Sequence, residues 1–137
     1  MVGELMITSE DRQRIQQRIR EVRGSWRTYA PMLDWFRADL DRRQILAPVE
    51  VPGDVITMNS RFDLMDQRTG DTTRYTLVYP EDEAPEHGRV SVLSPMGMAL
   101  LGAQVGDVVY WNDDNGPGAA RVVRMVYQPE AAGDHHL

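Results

Sequence analysis

A chain of 137 residues suits one ordinary domain or two very small units, and 42% hydrophobic with 26% charged residues is a globular balance. No run of about 18 apolar residues is present to span a membrane. The N-terminus lacks the basic start and apolar core of a signal peptide, and there is no cysteine for disulfides, thiol catalysis or cysteine-ligated zinc, which suits a cytoplasmic protein. The net charge of −6 is unevenly spread. Residues 1–47 carry nine arginines and seven acids, and residues 48–137 carry six arginines and fourteen acids. So acidic a body repels phosphate, and tight binding to bare DNA or RNA is not expected. Every basic residue is arginine, in keeping with genomic base composition.

Thr8-Ser9-Glu10-Asp11 has the pattern of a helix start, a hydroxyl cap followed by acids at the positive end of the helix dipole. Ile15, Ile19 and Val22 then recur at helical spacing, and Gly24 can close the helix, which is expected over about 9–23. Pro31 fits the first turn of a second helix. Leu33, Phe36 and Leu40 repeat the stripe, and Pro48 and Pro52 stop it near Leu46. The short link from Gly24 to Ala30 makes the pair an antiparallel hairpin, each helix about 20–24 Å long at about 1.5 Å per residue. So small a pair buries little surface alone, and its base is expected to lean on the second unit of the chain.

After Pro52 the period changes to two. One extended stretch is expected through Val55–Met58 and Phe62–Met65, and further strands over 73–79, 89–93, 108–111 and 121–127. Turns fall at 67–71, 105–107 and 113–118, where Gly and Asp cluster, and 80–88 forms an acidic loop. Ser94-Pro95 caps and opens a short helix from Met96 to Leu101, ended by Gly102. The expected fold class is α+β: residues 1–47 a helical hairpin, residues 48–137 four or five antiparallel strands around one short helix.

No pattern for catalysis stands out. There is no Gly-x-Ser-x-Gly elbow, Walker loop or dinucleotide fingerprint. His87, His135 and His136 do not have zinc spacing. The acids Glu81, Asp82, Glu83 and Glu86 read as a solvated loop, and Asp113-Asp114 as a turn. No catalytic residue, metal or cofactor is expected.

Two stretches carry a resemblance. Val92-Leu93-Ser94-Pro95-Met96-Gly97, continuing through Gly102 to Val105-Gly106-Asp107-Val108, resembles the C-terminal domain of the GreA/GreB transcription factors. Asp54 through Arg61, Thr76-Leu77-Val78-Tyr79-Pro80 and the terminal Tyr127 through Asp134 resemble the Rnk type, the regulators of nucleoside diphosphate kinase. The match covers about 48–137, and the first 47 residues match only as a shortened, coiled-coil-like hairpin. The resemblance implies an FKBP-like C-terminal unit that docks on bacterial RNA polymerase near its secondary channel, with the hairpin pointing inward. It implies a site at Ser94, Pro95, Met96 and Gly97 with His87 and Arg89 beside them, and a hairpin tip at Arg23, Trp26 and Arg27.

Gre factors bear acids on a long hairpin tip that help hold a catalytic magnesium ion. Here Arg23 through Ala30 contain no acid, and magnesium needs carboxylate or other hard oxygen ligands. The expected protein therefore occupies the channel and competes with Gre factors without stimulating transcript cleavage. Trp26 and Tyr29 can be read as contacts, but the preferred reading is that they close the tip by packing on each other. The alternatives are direct regulation of nucleoside diphosphate kinase, which an indirect effect through transcription would mimic, and a prolyl isomerase suggested only by the fold.

Overall fold

The computed structural model describes residues 5–22 and 30–134. The first three described elements are β1 (Met6–Thr8), α1 (Ser9–Val22) and, beyond the link, α2 (Ala30–Arg42). Thr8 caps α1, its Oγ1 accepting the Asp11 N–H at 3.1 Å. Glu10 and Asp11 occupy the first turn and Arg20 the last, as the helix dipole favours. Gln16 in mid-α1 donates to Asp41 near the end of α2 at 2.8 Å, the pairing of an antiparallel hairpin.

Helix α2 stops at Arg42 rather than running on toward Leu46. The expected last turn is instead β2 (Gln44–Leu46), paired in parallel with β1 from Met6↔Gln44 to Thr8↔Leu46. The Arg43 side chain turns inward and donates to the Leu101 carbonyl at 2.6 Å, while Asp39 holds it at 3.0 Å. Burial works against the Arg43 charge, and Asp39 offsets that cost.

The remaining strands are β3 (Arg61–Asp66), β4 (Thr72–Val78), β5 (Arg89–Ser91), β6 (Val108–Asp113) and β7 (Gly116–Tyr127), in the order β5-β4-β3-β7-β6. Two expectations need correction. Residues 55–58 are not part of the extended stretch: Thr57 N–H is taken by Ser60 Oγ at 2.9 Å and Asn59 has φ +65°, so the chain turns before β3 begins. The sheet is also not wholly antiparallel, because β5 pairs in parallel with β4. The segment 79–88 carries the chain across through two short 3-10 turns, a crossover that parallel neighbours require. Two register shifts between β3 and β7 bend the sheet.

Helix α3 (Pro95–Leu100) packs on the sheet, and an unforeseen α4 (Pro129–Ala132) follows β7. Gln128 caps α4, its Oε1 accepting the Ala131 N–H, while its amide donates to the Pro52 and Val55 carbonyls at 2.7 Å. Glu130 accepts the Thr57 hydroxyl at 2.6 Å. These bonds tie the end of the chain to the start of the sheet unit.

One apolar cluster joins hairpin and sheet. Ile15, Ile19, Leu33, Phe36 and Leu40 from the helices pack in the same core as Ile56, Met58, Phe62, Leu77 and Leu100. Each such side chain, fully buried, contributes about 1.5–3 kcal/mol, so the stripe supplies its stability only when the sheet covers it. Polar contacts run along the seam. Asp11 accepts the Met58 N–H at 3.2 Å. Arg18 pairs with Glu81 at 2.6 Å, and its guanidinium lies 4.7 Å from the centre of the Tyr79 ring.

Asp11 is 3% exposed, and its pKa is raised to about 7 by burial first, then by the charge of Glu130; the Met58 N–H and Arg14 oppose the rise. Because its folded pKa lies above its unfolded value, its contribution is complete below about pH 4 and is lost as the pH rises through about 7. Substituting Asp11→Asn should remove this dependence, and urea unfolding across pH 5–8 should show the wild type losing stability relative to the variant. Parallel profiles would contradict the burial of an ionisable group at this seam.

Candidate functional site

Ser94, Pro95, Met96 and Gly97 form the entry to α3. Ser94 Oγ accepts the Gly97 N–H at 3.0 Å and donates to the Ser91 carbonyl at 2.7 Å, and Pro95 takes the first turn. The hydroxyl therefore works in both directions inside the fold, and capping is its visible role. Gly97 is fixed by packing: a Cβ there would lie 1.9 Å from the Ser91 carbonyl oxygen. Two of the four residues thus seat α3 against β5, leaving Pro95 and Met96 as half-exposed surface.

Met96 lines a shallow pocket of about 240 Å³ together with Leu64, Tyr75, Trp111 and Ala120; Asp66, Thr69, Asp71 and Thr73 form its polar side. Trp111 lies across from Gly118 on β7, where a Cβ would come within 2.2 Å of the indole. The glycine lets the ring lie on the neighbouring strand, which fixes one wall of the pocket.

His87 and Arg89 are not beside this pocket. They line a second cavity, of about 520 Å³, with Arg61, Arg74 and Thr76. Strand β4 separates the two, since Thr73 and Tyr75 face one cavity while Arg74 and Thr76 face the other. Alternate side chains of a strand point to opposite faces. The expected six-residue patch is therefore split between two sides of the sheet. Arg23, Trp26 and Arg27 lie outside the described residues.

Several prominent residues escaped the sequence reading. Trp35 on α2 is 57% exposed, off the Leu33–Phe36–Leu40 stripe, and that position was the signal for it. Tyr110 is 72% exposed on β6, facing away from its buried neighbour Val109. Asp11 looked like a helix-start charge and Arg43 drew no reading at all, and only the three-dimensional seam shows them buried. Among the described residues, no group of three or more His, Asp or Glu is placed to hold a metal ion.

Residues 51–127 match the family model described as transcription elongation factor, GreA/GreB, C-terminal. The chain belongs to the GreA/GreB family. Within that family it is 43% identical over 108 residues to the regulator of nucleoside diphosphate kinase of Escherichia coli (strain K12), covering 78% of this chain and 79% of that protein. The transcription elongation factor GreA of Solidesulfovibrio magneticus is 29% identical over 103 residues, covering 74% of this chain and 63% of that factor. A solved GreA/GreB elongation factor from Nitrosomonas europaea superposes with a TM-score of 0.74 at 31% identity, covering 92% of this chain and all of that one. These names are those of regulators and transcription factors, not of enzymes.

Capping and packing at α3 carry a direct expectation. Ser94→Ala should cost about 1 kcal/mol for the lost cap, and Gly97→Ala about 1–3 kcal/mol for the forced overlap. Urea denaturation of both variants measures this. A Gly97→Ala protein as stable as the wild type would show that α3 does not sit against Ser91 as described.

Proposed function

We propose that this protein is an RNA polymerase-binding regulator of transcription of the Rnk type. Its FKBP-like body docks beside the secondary channel, and its hairpin enters the channel in competition with Gre factors. Residues 1–47 act as the probe and residues 48–137 as the dock. Family membership supports the class of partner. The observation that carries the finer reading is the hairpin itself: helices of 14 and 13 residues joined by a stretch with no carboxylate. Such helices reach only about 20 Å at about 1.5 Å per residue. A tip without carboxylates has no side-chain oxygen anions to share with a magnesium ion, so occupancy without stimulated cleavage follows.

For docking, the pocket of Met96, Tyr75 and Trp111 is the preferred surface. It combines an adaptable thioether with two aromatic rings, the composition enriched at interface centres. Ser94 and Gly97 place Met96 there rather than making the contact themselves.

The name of the Escherichia coli relative supports a second reading, direct contact with nucleoside diphosphate kinase. Activity of purified kinase with and without this protein decides it, since an effect through transcription disappears in that mixture. The isomerase alternative rests on fold analogy alone, and turnover of a proline-containing peptide would be needed to support it.

Core RNA polymerase should retain the purified protein in a pull-down, a Gre factor should displace it, and nascent-transcript cleavage should not accelerate. Met96→Glu should weaken retention at least tenfold, by placing a charge in a half-apolar contact. Indifference to the polymerase, or faster cleavage, would refute the proposal.

A further inference from the structure

The basic cavity on the other face of the sheet has no part in the docking proposal. Arg61, Thr76 and Arg89 stand in register across three adjacent strands, with Thr76 the shared neighbour of both arginines. Arg74, two residues before Thr76 on the same face, joins them, and His87 closes the cavity from the preceding turn. Three of the six arginines in residues 48–137 therefore meet in one cavity, on a body with fourteen acids. No carboxylate among the described residues lines the cavity itself. Asp63 pairs with Arg74 through bonds of 2.9 and 3.4 Å and holds that guanidinium in place. Arg61 and Arg89 are exposed and make no ion pair among the described residues.

Solubility of an outer sheet face calls for scattered charges of both signs, whereas here three arginines converge on one cavity. Such an arrangement is stabilised by an anion. A lone carboxylate satisfies one guanidinium fork, whereas three guanidiniums, an imidazole and a hydroxyl around about 520 Å³ match several adjacent anionic oxygens. An extended nucleic acid would leave the cavity and meet the acidic remainder of the body, which selects for a compact ligand. Among the described residues the cavity's one aromatic ring is the small imidazole of His87, with no Phe, Tyr or Trp to form a broad stacking platform for a base.

We propose that Arg61, Arg74, Thr76, His87 and Arg89 form a site for a compact oligophosphate, a group of pyrophosphate or triphosphate size. The phosphates are the recognised chemistry, whether carried by a free nucleotide or by the 5′ end of a short RNA.

Titration calorimetry of the full chain with inorganic triphosphate at low salt tests this. One saturable site is expected, weakened at least tenfold in an Arg61→Ala, Arg89→Ala double variant and unchanged in Arg68→Ala. Neither Arg61 nor Arg89 supports the fold through an ion pair among the described residues, and thermal melting of the double variant verifies that it remains folded. Parallel titrations distinguish the sources. Equal affinity for a nucleoside triphosphate and inorganic triphosphate assigns free nucleotide; tighter binding of a 5′-triphosphorylated oligonucleotide assigns an RNA end. Each supports the site. Absence of saturation, equal loss in Arg68→Ala, equal binding of a 5′-hydroxyl oligonucleotide, or a preference for an oligoglutamate peptide would overturn it. No polymerase is present in these titrations, so their outcome is independent of the docking proposal.

Discussion

The fold depends on a hairpin that cannot bury its own stripe. Two helices of 14 and 13 residues leave Ile15, Ile19, Leu33, Phe36 and Leu40 in need of a third wall, and the sheet unit supplies it. Burial of these side chains gives the attachment its strength but little direction, because the hydrophobic effect is non-directional. Direction comes from the polar contacts. Asp11 to Met58 and Arg18 to Glu81 fix one helix, and Arg43 to Leu101 fixes the end of the other. The parallel pair β1–β2 closes the base between them. Arg43 is buried while its partner Asp39 is half-buried, so removing Asp39 would leave the guanidinium with an uncompensated charge inside the fold. The seam is therefore both the thermodynamic and the orienting element of the molecule.

Function depends on the surfaces that this seam presents. A hairpin set firmly on a broad body is an object with a front and a back. The link between its helices has no carboxylate from Arg23 to Ala30. Its body offers two unlike surfaces, a half-apolar pocket at Met96 and Trp111 and an arginine-lined cavity at Arg61 and Arg89. The pleat of β4 separates them, so both can be occupied at once. The first is the proposed docking surface and the second the proposed anion site.

Local patterns in the sequence revealed much of this. The stripes of both helices are buried as their spacing requires, Ser94 caps α3, and the alternation of Phe62 and Leu64 marks a strand with one face in the core. What stayed hidden depends on distant partners. β1 and β2 have three residues each, too few for a periodic signal, and lie about 38 residues apart in sequence. Residues 55–58 are buried without alternation, so their apolar character looked like a strand while Ser60 and Asn59 turned the chain. The parallel placement of β5 depends on a crossover whose composition resembles any acidic loop. The division of the candidate site had the same origin. His87 and Arg89 are close to Ser94 in sequence, and only the register of β4 with β5 shows them on the far face. The family resemblance pointed to a segment of chain, and the structure shows which of its side chains turn outward.

Native-state hydrogen exchange tests most directly whether hairpin and sheet are one body. Backbone amides near Ile19 and Leu40 should open with the same free energy as those near Phe62 and Val122, all at the global unfolding value, because one core protects them. Hairpin amides that exchange through an opening several kcal/mol lower in free energy, while the sheet stays protected, would show that the helices are only loosely attached and that the seam does not orient them.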